Sequence, residues 1–162
     1  QEADPGGYDH WVEIYEDKGH WMDKEDAAAI TWMLERTRDL RPKRLVWRVM
    51  GGAPHRSYWL SQDAPQGGSR VVVELKGQEI HVLECENTDR ITFRLDDSML
   101  DLDQPVQVKR GSSYFHIGKV PRKRSVLEET LTERGDPEGM FTAELTVDFR
   151  TDEIDLPPEE GR

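Results

Sequence analysis

Apolar residues recur with a period near 3.6 before Pro42 and near 2 after it, and this switch constrains the fold more than any other feature of the 162-residue chain. Downstream, residues 44–50 alternate around Leu45, Trp47 and Val49, 55–60 carry Tyr58 and Trp59, 70–75 are valine-rich, and 79–84 alternate Ile80 with Val82. Further strands are expected over 90–95, 106–110, 114–120 and 141–149. The intervening Gly51-Gly52, Gln66-Gly67-Gly68, Lys76-Gly77-Gln78, Asn87-Thr88-Asp89 and Arg110-Gly111-Ser112 are turn-forming. Short strands at this spacing predict a mainly β architecture: an antiparallel β-sandwich, Ig-like or jelly-roll-like, over 42–150.

One helix interrupts the strands near 125–134, with Ser125 as its predicted cap, Glu128 completing a capping box and Gly135-Asp136-Pro137 as its stop. It is expected to lie across one end of the sandwich. Upstream of Pro42, residues 23–38 read as a second helix, capped by Asp23, with Ala29, Trp32, Met33 and Arg36 at helical spacing and Ile30 and Leu34 widening the apolar face. Leu40-Arg41-Pro42 closes it, because a proline disfavours helical geometry in the residue before it. The acidic, proline-containing stretch 151–162 is expected to be a mobile tail.

Thirty-three acidic and 22 basic residues give a formal charge of −11, which opposes binding to phosphate backbones and argues against a nucleic-acid partner. No apolar run approaches bilayer length, so no membrane span is expected. The one basic cluster, Lys119, Arg122, Lys123 and Arg124, reads as a solvated loop. A single cysteine, Cys85, forms no internal disulfide and reads as a small core hydrophobe; a lone thiol leaves the compartment open among cytosol, periplasm and export.

The candidate chemistry lies at Gly19-His20-Trp21, between a strand-like run, 11–15, and the helix that follows. A strand, a histidine-bearing loop and a terminal amphipathic helix is the order in which an α/β-type serine hydrolase presents its general base, after its serine and its acid. The residues nearby carry a resemblance. His10-Trp11-Val12-Glu13-Ile14, Lys18-Gly19-His20-Trp21-Met22-Asp23, Glu25-Asp26-Ala27 and Trp32-Met33 resemble the C-terminal end of bacterial, planctomycete-type α/β hydrolases related to prolyl oligopeptidases and polyester depolymerases. Val46-Trp47, Tyr58-Trp59-Leu60, Leu100-Asp101-Leu102-Asp103 and Leu131-Thr132-Glu133-Arg134-Gly135-Asp136-Pro137 resemble the β-rich domain appended to such enzymes.

The resemblance implies that 1–41 are the last strand, histidine loop and helix of a hydrolase domain, with His20 as triad base and an upstream hydrolase domain as partner. The rival reading of His20 is a loop histidine packed between Trp11 and Trp21. No Gly-x-Ser-x-Gly occurs, and none of Ser57, Ser61, Ser69, Ser98, Ser112, Ser113 and Ser125 lies in a nucleophile turn, so the chain is expected to be inactive alone. No cofactor is implied. His10, Glu13, Asp17 and His20 match no metal-ligand spacing, so no metal site is assigned, and His81 and His116 could face each other across the sandwich.

The alternative function is a noncatalytic sandwich that binds carbohydrate, polymer or a partner domain. Its candidate binding residues are Tyr58 and Trp59, whose adjacent rings point to opposite faces of a strand, leaving one of them exposed. Ile30, Trp32 and Met33 are expected to form an apolar patch through which isolated chains self-associate.

Overall fold

In the computed structural model, which describes residues 10–20, 22–50, 52 and 54–154, the chain forms two units, Gln1–Asp39 and Leu40–Arg162. The second is mainly β. Among its described residues, strands β1 (Arg44–Arg48), β4 (Arg70–Lys76), β5 (Glu79–Glu86), β7 (Val106–Arg110) and β8 (Ser113–Gly118) form one sheet in the order β1-β4-β5-β7-β8. Strands β2 (Arg56–Ser57), β3 (Leu60–Ser61), β6 (Arg90–Leu95) and β9 (Ala143–Asp148) form the other in the order β2-β3-β6-β9.

Alternation fixes which face of each strand turns inward. Leu45, Trp47, Val71, Val73, Ile80, Val82, Val106, Val108 and Phe115 from the first sheet join Leu60, Ile91, Phe93, Leu95, Ala143 and Val147 from the second in one buried cluster. Two sheets sharing a single core is the layering of a β-sandwich.

The sheets are not purely antiparallel as expected. Strands β5 and β7 pair in parallel, Ile80 opposite Val108. The cause is the crossing of β6 into the other sheet, which brings the chain back to β5 running in the same direction. The returning segment is clamped by Gln78, whose side chain donates to the Asp101 carbonyl at 2.7 Å and accepts from the Asp101 amide at 2.8 Å. By contrast, β4 and β5 are a plain hairpin closed by Gly77 and Gln78, with Gly77 at φ 61°.

The predicted strand 55–60 is instead a hairpin. Ser57 pairs with Leu60, and Tyr58 sits at its tip at φ 52°, so the chain reverses between two-residue strands. Helix α2 spans Arg124–Arg134, and Ser125 lies inside it rather than capping it; Lys123 is the N-cap residue and makes no side-chain capping bond. The predicted stop holds, with Gly135 left-handed at φ 62° and its amide donating to Leu131.

Helix α2 packs against the second sheet where β6 ends and β9 begins. Phe93 and Leu95 point into the core, so Arg94 between them faces out, where Glu129 and Glu133 of α2 meet it. Thr130, fully buried, donates to the Val126 carbonyl at 2.9 Å and accepts from the Phe141 amide at 3.0 Å, fastening α2 to the segment leading into β9. Of the expected tail, Ile154 is drawn back to form a bridge with Tyr114 on the edge strand β8; residues 155–162 lie outside the described residues.

In the first unit, the run 11–15 forms no strand among the described residues. A strand needs a neighbour for its backbone groups, and no described segment pairs with this one. The predicted helix 23–38 shortens to α1, Ala27–Leu34, after a 3₁₀ turn at Met22–Lys24. Asp23 does not cap it: at φ 51° it occupies the left-handed region inside that turn.

Candidate functional site

His20 is exposed, in a turn between residues without regular structure and the 3₁₀ turn that leads to α1. The loop is drawn together by Lys18, whose ammonium reaches the Asp23 carboxylate at 3.3 Å and that of Glu25 at 2.9 Å, and by the Tyr15 hydroxyl donating to the Glu25 carbonyl at 3.3 Å. The histidine turn is followed by a helix as expected, but the strand expected at 11–15 is absent among the described residues. Trp21, one wall of the rival packing arrangement, lies outside the described residues.

Helix α1 contains no buried residue. Ile30, Met33 and Leu34 are 57, 56 and 81% exposed, the reverse of what an amphipathic helix does with its apolar side in a finished core. Trp32 fares differently: its ring lies 6.3 Å from that of Trp11 at a tilt of 54°, and the Arg36 guanidinium stacks 3.8 Å above it.

Sequence reasoning paired Tyr58 with Trp59, and the structure separates their roles. Trp59 is fully buried against Phe93, and its indole donates to the Pro42 carbonyl at 2.9 Å. It offers no face to a ligand. Tyr58 is 42% exposed at the hairpin tip, its carbonyl accepting from the Arg134 guanidinium.

His81 and His116 do not meet across the core, because both belong to the first sheet. His81 bonds Glu79 at 2.6 Å, and Lys109 reaches the same carboxylate oxygen at 2.7 Å, holding the Glu79 carboxyl below its ordinary range. His116 pairs with the Gly118 carbonyl at 3.1 Å. Cys85 is buried, and burial pushes its thiol up to about 11, the opposite of an activated nucleophile. Among the described residues, no group of three or more His, Cys, Asp and Glu could hold a metal ion, and no helix is long and apolar enough to cross a membrane.

Two of the four residues of the basic cluster are held in ion pairs. Arg122 is gripped by Asp97 at 2.5 Å and Asp103 at 2.8 Å, and Arg124 reaches Glu128 at 2.7 Å.

Two polar depressions of about 500 and 400 Å³ share the residues Gln62, Asp63, Arg90 and Thr92 at the second sheet. One continues to Asp89 and Arg150, the other along the outward residues Thr146 and Glu144 to α2. Thr92 and Thr146 are opposite one another on β6 and β9, their hydroxyls 2.7 Å apart. Beneath this surface Gln62 is 3% exposed, and both polar atoms of its amide lack a hydrogen-bond partner. Arg94, 4% exposed, spends its terminal nitrogens on Glu129 at 3.0 Å and Glu133 at 2.5 Å but leaves Nε unpartnered.

Sequence analysis missed this groove. Its only local signal is the outward register of Thr92 and Arg94 within an otherwise apolar strand; nothing in the sequence announces that Gln62 is buried.

No protein-family model, curated protein sequence or solved structure matches this chain.

Proposed function

We propose that residues 1–41 complete the catalytic domain of an α/β-type serine hydrolase acting on an ester or peptide acyl group, with His20 as its general base, and that the two-sheet unit is that enzyme's accessory domain, Ig-like or jelly-roll-like. The observation that carries the reading is the unburied apolar side of α1, immediately after the histidine turn. A helix with Ile30, Met33 and Leu34 in water calls for a complementary apolar surface, and the last helix of such a hydrolase packs on a central sheet. The resemblance of the stretch around His20 to that region supplies the identity of the sheet.

In this reading the serine and the acid come from the preceding domain. His20 takes the serine proton during attack on the acyl carbon and returns it to the leaving group, while the acid holds the imidazole in the required tautomer. Alone, the chain lacks nucleophile and oxyanion donors and is inactive.

The test is to read the natural reading frame upstream of Gln1 and treat the full product, and its His20→Ala variant, with a fluorophosphonate probe. A Gly-x-Ser-x-Gly upstream, with labelling lost in the variant, upholds the proposal. A frame without such a motif and no labelling overturns it.

A second reading takes the two-sheet unit as a noncatalytic binding module for carbohydrate, polymer or a partner domain. It is favoured by the open polar groove on its second sheet and by the exposed ring of Tyr58.

A further inference from the structure

Buried polar atoms without partners are rare in folded proteins because each costs about 1–3 kcal/mol. Three such atoms converge on one surface feature here: the amide oxygen and nitrogen of Gln62 and the Nε of Arg94. Both side chains line the groove beside α2, and Gln62 also lines its continuation. The Gln62 amide needs an acceptor for its N–H groups and a donor for its oxygen, while Arg94 needs an acceptor alone.

The charge around the groove narrows the class of ligand. Asp63, Asp89 and Glu144 stand on its walls with Arg90 and Arg150, so an anion is opposed by the first set and a cation by the second. Arg94 and Arg56 together balance Glu129 and Glu133, so this group contributes little net field. Among the lining residues His55 is the one aromatic ring, at the depression beside α2, and no Trp, Tyr or Phe lines either depression, so flat ligands that depend on extended stacking find little platform. What remains is a neutral molecule rich in groups that donate and accept at once. Hydroxyls do so, and carboxylates alternating with guanidiniums and threonine hydroxyls suit vicinal diols.

We propose that the groove on the outer face of the second sheet, centred on Gln62, Asp63, Thr92 and Thr146, binds a neutral saccharide chain. Its two depressions, about 500 and 400 Å³, lie within the size range of small-ligand sites and give the chain an extended course across β6 and β9. The proposal rests on the second reading, that the two-sheet unit is a binding module, and gives that module a place and a ligand class. It is independent of any role of His20.

The experiment is a titration of the isotope-labelled 162-residue chain with cellohexaose, xylohexaose, mannohexaose and laminarihexaose, followed by amide NMR shifts, with hexagalacturonate and hexalysine as charged controls. At least one neutral hexaose is expected to shift Gln62, Asp63, Thr92 and Thr146 saturably at millimolar concentration. Asp63→Ala and Thr146→Val, both at exposed positions, should weaken binding about tenfold or more while leaving the remaining spectrum intact. Gln62→Leu, which removes two unmet polar atoms at similar volume, should abolish binding without lowering the melting temperature. Absence of shifts with all four neutral sugars, or unchanged affinity in Gln62→Leu, overturns the proposal. Shifts centred on Tyr58 instead overturn the groove but leave the binding-module reading standing. A larger response to either charged control also overturns it.

Discussion

The indole nitrogen of Trp59 donates to the carbonyl of Pro42 across 2.9 Å, tying the core of the second sheet to the segment that opens that unit. Arg41 reinforces the same point, reaching Asp96 at 2.5 Å and the Glu138 and Met140 carbonyls at 3.0 and 2.9 Å. Trp59→Phe keeps most of the apolar area and loses the hydrogen bond, so it should destabilise the unit by about 1–2 kcal/mol. Trp59→Ala should cost about 3–5 kcal/mol by opening a cavity. Urea unfolding of both variants measures this, and a Trp59 that served ligand binding instead would show little loss of stability.

Arg94 contributes to the acid response, alongside the cations that hold Glu74, Glu79, Asp97, Asp103 and Asp148 below their ordinary ranges. Its guanidinium, hydrogen-bonded to Glu133, holds that carboxyl below its ordinary range. A carboxylate whose folded pKa is depressed contributes stability that is fully present above the unfolded pKa, near 4.3, and is lost as pH falls through the lower folded value. Melting temperature should therefore drop as pH falls below about 4.3, and Glu133→Gln should make that drop shallower by the share this carboxyl contributes. At pH 7 the substitution should cost about 2 kcal/mol, less than for a fully buried pair because Glu133 keeps partial exposure.

Cys85 should be inert in the native protein. With its thiol pushed up to about 11 and its Sγ bonded to the Thr88 carbonyl at 2.9 Å, almost no thiolate exists at pH 8. Ellman's reagent should label it only after denaturation. Rapid labelling of the native chain would contradict the packing of β5 described above.

Two substitutions in α2 should separate an apparent cap from a real fastening. Ser125→Ala should change stability by less than about 0.5 kcal/mol, since Ser125 makes no capping bond. Thr130→Val should cost about 1–3 kcal/mol, because it strands the buried Phe141 amide. Thermal unfolding of the two variants side by side checks the contrast.

Gly77 closes the β4–β5 hairpin at φ 61°, and no atom lies within 4 Å of where a Cβ would stand. Gly77→Ala should therefore destabilise through backbone conformation alone, by about 1 kcal/mol, measurable by denaturant titration.

These residues also show what the sequence made legible. Leu45, Trp47, Ile80, Val82, Ile91 and Phe93 alternate on the faces their period indicates, because a half-buried strand writes its burial directly into its composition. The Tyr58-Trp59 turn was hidden because neither residue is a usual turn former; the hairpin owes its place to the burial of Trp59 and the grip of Arg134 on the Tyr58 carbonyl. Ser125 looked like a cap because capping signals are local, whereas α2 begins two residues earlier, where the Lys123 amide bonds the Thr142 carbonyl. At the candidate sites, the place of His20 in a turn was legible from its neighbours, whereas the groove depends on register between β6 and β9, which are separated by nearly fifty residues and leave no local pattern.

The parallel pairing of β5 with β7 decides how this unit can come into being. Neither strand can recruit the other through a tight turn; the chain must first lay β6 into the opposite sheet and then return. A polypeptide ending after β5 would expose the bonding edge that β7 should fill, and one beginning at β7 would lack the neighbour that orients it. Cutting the chain between β5 and β7 therefore leaves either half with an unpaired strand edge, so the two sheets depend on one another for closure.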